Sequence, residues 1–266
     1  MISIPPDISI EAIQRRLTGR IIGRRLQVVA EIGSTNDAIL AAGHAGEPEG
    51  LAVLADRQTS GRGRRGRSWA SRPGVGIYTS ILLRPPVSPL QAPLLTLMAG
   101  LATADAIASV ARVDPMLKWP NDLLLEGRKV VGILTEMTTI GQRIGHVAIG
   151  IGINVHQSRE DFPEGVQETA TSLDLTTGRH ADRGEVAAAL YDSLDRWYRA
   201  FCAEGTSMVL HAARARTATL GKPVTIDAGD VQWQGTALDL DDDGALLVRD
   251  SHGTVQRILA ADISVR

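Results

Sequence analysis

Residues 89–110 read PLQAPLLTLMAGLATADAIASV, a helical run with one charge, Asp105, and apolar side chains on most faces. Such a helix is stable only when other elements enclose much of its surface. The flanking sequence supplies them. Strand patterns fall at 26–31, 50–56 and 76–83, the last stopped by Pro85 and Pro86. Further strands are predicted at 115–120, 122–125, 130–137 and 146–155. Their turns are Glu126-Gly127-Arg128 and Ile140-Gly141-Gln142. Helices are predicted at 8–17, from a Ser34 or Thr35 cap to residue 42, and at 183–203. The body therefore reads as α+β, with a central, mostly antiparallel sheet flanked by helices.

The texture changes across 205–221. Short alternating runs follow at 223–227, 231–240, 245–249 and 254–259, separated by turns at 227–230 and 250–253. That spacing predicts a small β-barrel. The expected division is 1–210 for the body and 211–266 for the barrel.

Composition narrows the function. The net charge is −2 and aromatic residues make up 3% of the 266 positions, which argues against a nucleic-acid-binding face. The lone Cys202 leaves no internal disulfide, and the six histidines show no metal-ligand spacing. No stretch reads as the roughly 18 to 20 apolar residues of a membrane span. The start lacks a signal-peptide pattern, so a cytoplasmic location is the expectation. Asp239-Leu240-Asp241-Asp242-Asp243-Gly244 matches half of a calcium loop. Strand patterns flank it, and a hairpin turn explains it better.

Four segments carry chemistry. The densest is Gly61-Arg62-Gly63-Arg64-Arg65-Gly66-Arg67-Ser68-Trp69, preceded by Gln58. Arginine forks suit carboxylates and phosphates, and glycines let backbone N–H groups approach an anion. A loop so charged is expected to be mobile when empty and ordered by an anion. Taken alone, it also reads as a basic surface loop. The second segment joins Lys118-Trp119-Pro120-Asn121-Asp122 to Gly127-Arg128-Lys129, then Gly132 and Leu134. A lysine at this sheet end is either an anion ligand or an ordinary surface lysine. In the third, Gly150-Ile151-Gly152-Ile153-Asn154, alternate glycines strip one strand face, for a flat ligand or for close packing. The fourth, Ser34-Thr35-Asn36, offers small polar groups at a helix start, as ligands or as caps.

In this order, STN, GRGRRGRSW, KWPND with GRKVVGIL, and GIGIN, the chain resembles the biotin protein ligase family across residues 25–265. The resemblance implies a class II synthetase-like catalytic domain with a small SH3-like β-barrel behind it. It implies ATP-dependent activation of biotin to biotinyl-5′-AMP, with Mg2+, then transfer to a lysine of a biotin carboxyl carrier protein. Ser34, Thr35, Asn36, Gln58, Gly61, Arg62, Lys129, Gly132, Leu134, Gly150 and Gly152 would contact biotin. Arg64, Arg67, Trp69, Lys118 and Asn154 would contact the nucleotide. Lys129, Arg64 and Arg62 would be catalytic, and the metal ligands stay unassigned. The chain before Ser34 is short for the DNA-binding domain of bifunctional members, so ligase activity alone is expected. A lipoate ligase is the nearest rival, but its RRxxGGG string is absent. Homodimer formation through sheet edges is left open.

Overall fold

The computed structural model describes residues 4–229, 231–259 and 261–265. Of the expected turn at 227–230, Asp230 lies outside them, as do residues 1–3 of the N-terminal reading.

Seven strands form the main sheet: β1 (Arg25–Ile32), β2 (Leu51–Gln58), β3 (Gly76–Leu83), β4 (Met116–Lys118), β5 (Asp122–Leu125), β6 (Arg128–Ile140) and β7 (Arg143–Asn154). Their order is β1-β2-β3-β7-β6-β5-β4. β1 and β2 run parallel, joined through the helix α2 (Thr35–His44), and the other pairs are antiparallel. Ser34 occupies the cap position of α2, but its side chain makes no capping hydrogen bond. A short helix, α1 (Ile10–Gln14), precedes the sheet.

The faces of the sheet follow strand alternation. Leu51, Val53 and Leu82 pack with Ile39 of α2, whereas Ala52, Leu54, Ile77 and Ile81 join the large core on the other side. That core holds α3 (Ala92–Ala111) and α5 (Arg183–Glu204), with a single helical turn, α4 (Leu173–Thr177), between them in sequence. Residues Pro89–Ala111 do have the length and apolar content of a membrane span, contrary to the expectation above. Their isolated polar residues interrupt the run without making it polar. α3 is nevertheless a core helix, buried at Leu94, Leu95, Leu97 to Ala104, Ala106 and Ile107. Small side chains permit that enclosure: a Cβ on Gly100 would come within 2.6 Å of Leu117.

A buried ion pair fastens the start of α5. Arg183 donates to Asp56 at 2.7 Å and to Asp7 at 2.8 Å, so it ties the N-terminal segment and β2 together.

The helix α6 (Ser207–Ala215), unread in the sequence, continues through residue 210 and packs with α3 and α5. Beyond it, β8 (Pro223–Asp227), β9 (Gln232–Leu240), β10 (Leu246–Asp250), β11 (Val255–Ile258) and β12 (Asp262–Val265) form an SH3-like antiparallel sheet in the order β11-β10-β9-β8-β12. The calcium-like string is the β9–β10 turn. Asp241 accepts the N–H groups of Asp243 and Ala245, and Arg257 pairs with both Asp241 and Asp243.

Trp119 joins the two parts. Its backbone N–H donates to Thr219 Oγ1 and its indole N–H donates to the Gly244 carbonyl, both at 3.0 Å.

Candidate active site

Between the main sheet and the C-terminal sheet lies a cavity of about 1060 Å³. Its floor is made by β6 and β7. Alternation puts Gly132, Leu134 and Glu136 on one face of β6, and Gly150, Gly152 and Asn154 on the same face of β7. The register pairs Gly132 with Gly152 and Leu134 with Gly150. A Cβ on Gly152 would sit 2.5 Å from Cε2 and Nε1 of Trp69, and one on Gly132 would sit 2.6 Å from its Cζ3. The indole therefore lies across both glycines, in the space their missing side chains leave. Its N–H is buried and has no hydrogen-bond partner among the described residues. Such an unpaired donor beside a cavity is a place for a ligand acceptor. The Lys129 ammonium lies 5.4 Å from the centre of the same ring.

One end of the cavity is a network of small polar groups. Thr35 donates to Gln58 Oε1 through its N–H at 2.9 Å and its hydroxyl at 3.1 Å, and the hydroxyl also lies 2.7 Å from Ser80 Oγ. Gln58 passes the network to Ser71 at 2.9 Å. Asn36 accepts from Ser80 at 2.5 Å and donates to the Leu134 carbonyl and to Glu136, at 3.2 and 2.7 Å. It fills the room above Gly150, where a Cβ would approach Asn36 Oδ1 to 2.2 Å. Ser34 is buried on the same wall.

The other end is cationic. The arginine loop is a narrow hairpin: Trp69 N–H donates to Gly61 O at 2.9 Å and Gly63 N–H to Arg67 O at 2.7 Å. Its tip turns at Arg65 and Gly66, which have φ of 53° and 72°. The expected self-repulsion is relieved by protein carboxylates and carbonyls. Arg62 pairs with Asp37 and Glu136 at 2.6 and 2.8 Å. Arg64 donates to Asn121 at 3.2 Å and to the Ala261 carbonyl at 3.4 Å. Arg65 donates to the Asp227 carbonyl at 2.8 Å, and Arg67 pairs with Asp262. The tip is thus anchored on the C-terminal sheet. Burial of Arg64 pulls its pKa below the usual arginine value, while Asp262 and Asp122 pull it back.

Lys129 lies 2.6 Å from Asp122 across β5 and β6. Its backbone is fixed by Thr169 O and Thr171 N–H at 2.8 and 2.9 Å. Asn154 donates to Thr171 O at 3.0 Å, so its amide braces the end of β7 while it lines the cavity. Lys118 lines the wall beside Asn121.

The structure brings Ser34, Thr35, Asn36, Gln58, Arg62, Arg64, Arg67, Trp69, Lys118, Lys129, Gly132, Leu134, Gly150, Gly152 and Asn154 to one cavity. Gly61 is buried just behind it, against the Trp69 carbonyl and Ser71. Sequence reasoning missed Asp37, Glu136, Ser80 and Asp122. Two of these were readable: Glu136 follows Leu134 at strand spacing, and Asp122 ends the KWPND string. The wall made by Phe162, Pro163, Val166 and Thr169 gave no periodic signal.

A large cavity with a polar inner end, an aromatic cover and a cationic mouth suits a ligase that activates a carboxylic acid. Residues 28–154 match the Biotin/lipoate A/B protein ligase family, and residues 219–266 match the Biotin protein ligase C terminal domain. The biotin–[acetyl-CoA-carboxylase] ligase of Mycobacterium tuberculosis is 37% identical, with 94% of each chain covered. The bifunctional ligase/repressor BirA of Bacillus spizizenii is 35% identical over 100% of this chain and 81% of its own length. Among solved structures, the biotin protein ligase from Aquifex aeolicus in complex with biotin and ATP superposes with a TM-score of 0.77 at 31% identity, covering 91% of this chain and 99% of the other. The chain belongs to the Biotin/lipoate A/B protein ligase family, among its biotin protein ligases.

Proposed function

We propose that this chain couples ATP cleavage to biotin activation, giving biotinyl-5′-AMP, and then transfers biotin to a lysine of a biotin carboxyl carrier protein. The observation that carries the reading is the convergence of Lys129, Arg64 and the unpaired Trp69 N–H on one cavity with a polar inner end. Support also comes from the Aquifex relative, whose structure holds biotin and ATP.

Thr35 and Gln58, with Ser34 and the backbone of Gly61, would meet the ureido ring. Gly132, Leu134, Gly150 and Gly152 would accommodate the bicyclic body, and Asn36 would brace it from above Gly150. In the first step a biotin carboxylate oxygen attacks the α-phosphorus and the bond to pyrophosphate breaks. Both reactants are anions, so cations must offset their repulsion. Lys129 and Arg64 lie on the wall for that task, with Arg67 and Lys118 toward the nucleotide. Arg62 can join them by exchanging Asp37 or Glu136 for the biotin carboxylate. Trp69 and Asn154 bound the adenylate end. In the second step the acceptor amine attacks the acyl carbon, AMP leaves, and the nitrogen loses a proton. No enzyme nucleophile is needed.

A magnesium ion is part of the proposal. It prefers oxygen ligands and substrate phosphates. The carboxylates on the wall, Asp122, Asp161 and Asp262, are already paired with Lys129, Arg72 and Arg67. The residues present therefore fit an ion that arrives on the triphosphate, with Asp122 the nearest protein carboxylate to Lys129. The division at 210/211, with α6 as the joining segment, and a cytoplasmic location complete the reading.

The test is incubation with biotin, ATP, magnesium and a purified carrier domain, read by intact mass. One biotin per carrier domain is expected. ATP–pyrophosphate exchange that runs with lipoate and not with biotin would overturn the assignment.

A further inference from the structure

The spacing of the histidines in sequence gave no metal site, yet the fold gathers two of them around one carboxylate. His156 follows β7, Asp174 lies in α4, and His180 lies beyond the turn at Gly178. Their ligand atoms lie within 4.8 Å of one another. Nδ1 of His156 is 2.8 Å from Asp174 Oδ2, and Nδ1 of His180 is 3.1 Å from the same oxygen. The other oxygen, Oδ1, accepts the N–H of Ala181 at 3.0 Å, which fixes the carboxylate's orientation. The Asp174 N–H donates to Val155 O at 2.9 Å, so the backbone holds Asp174 beside the end of β7.

We propose that His156, Asp174 and His180 form a binding site for one borderline divalent cation of the zinc type. Two imidazole nitrogens and a carboxylate are the donor set such an ion takes, whereas magnesium prefers oxygen alone. The spacing fits. Ligands about 2.1 Å from a tetrahedral ion are separated by about 3.4 Å. The two nitrogen-to-oxygen distances in the cluster, 2.8 and 3.1 Å, fall short of that edge by about 0.6 and 0.3 Å, so the ligand atoms part slightly to admit the ion. The two rings are stacked, with centroids 4.0 Å apart and planes 11° from parallel. A shared ion must lie near the plane of each ring, so one ring has to turn. His180 is free to do so: its side chain is 79% exposed, against 13% for His156. The open side leaves room for water as a fourth ligand.

The location gives the site a consequence. His156 and Asp174 flank the segment 157–173, which includes the cavity wall at Phe162, Pro163, Val166 and Thr169. A bound ion ties the two ends of that wall together, independently of which acid the cavity activates.

The experiment uses the untagged full chain, titrated calorimetrically with Zn2+ alone, alongside a His180→Ala variant. His180 is exposed, so its removal leaves the fold intact. The wild type is expected to bind one Zn2+, and the variant to bind it at least roughly tenfold more weakly. Amide hydrogen exchange across 158–171 is expected to slow with Zn2+ in the wild type and to stay unchanged in the variant. Equal affinity in the two proteins, or binding without slowed exchange, overturns the proposal.

Discussion

Gly152→Ala is the sharpest test of the floor. The new Cβ would stand 2.5 Å from Cε2 and Nε1 of Trp69 and 2.8 Å from Cζ2. Carbon atoms at rest are about 3.5 Å apart or more, so that edge of the ring must retreat by about 1 Å. Gly132 lies under the opposite half of the indole, with its built Cβ 2.6 Å from Cζ3, so the ring tilts rather than slides. The cavity that Trp69 lines gives the ring room to tilt. Overpacking in a closed core costs about 1–3 kcal/mol, but here the ring can move into open space. Alanine also suits a strand interior better than glycine, by about 0.5–1 kcal/mol. The fold should therefore lose no more than about 2 kcal/mol. The ligand loses more, because a 1 Å misplacement of positioning groups costs on the order of a hundredfold, about 2.7 kcal/mol. Biotin titration calorimetry and ATP–pyrophosphate exchange measure the loss, and urea unfolding measures stability. Wild-type affinity and exchange in a folded Gly152→Ala protein would refute the role given to the indole.

Other outcomes follow from the same geometry. Lys129→Ala should abolish pyrophosphate exchange while urea unfolding stays within about 1 kcal/mol of wild type, since its ion pair is partly exposed; near-normal exchange would remove Lys129 from the reacting centre. Asp262→Asn frees Arg67 from the C-terminal sheet, and trypsin should then cut between Arg62 and Arg67 faster than in wild type. An unchanged cleavage rate would show that the pair does not anchor the loop. Arg183→Leu leaves Asp56 buried without its partner and should cost about 3–5 kcal/mol, against less than about 1 for Arg57→Ala at the exposed Glu31 pair; equal costs in urea unfolding would contradict this. Burial would raise the Asp195 carboxyl, but the N–H groups of Ile21 and Ile22, at 2.6 and 3.0 Å, hold it below 3.8. Its contribution to stability is full above that value and fades as pH falls through the lower folded one. Asp195→Asn should therefore flatten the loss of stability below about pH 4, and an acid limb as steep as wild type would count against it.

The strands that line the cavity were legible because their glycines and apolar residues alternate with the period of a strand. The Gly150–Gly152 face was visible as stripped, but what fills it was not: Trp69 arrives from a loop some eighty positions away. α6 was hidden because Val209, Leu210 and Ala213 give only a brief apolar stripe between glycines at 205 and 221. β12 was hidden because four residues near the chain end carry too little pattern. The partners of the arginine loop were the least legible part of the site. The loop's charge predicted repulsion, yet the balancing groups at its tip, Asp227, Ala261 and Asp262, lie 162 to 197 residues downstream. Local reading cannot see charge compensation across that distance.

The two tryptophans described above give the molecule separate optical reporters. Trp119 is enclosed where the main body meets the C-terminal sheet, with its N–H committed to Gly244. Trp69 faces the cavity with its N–H unspent. Parting of the two units wets the first ring and shifts its emission to longer wavelength, whereas ligand entry alters the second. With Trp197 and Trp233 replaced by Phe, the two remaining rings report the seam and the pocket, and a further Trp69→Phe change leaves the seam signal alone.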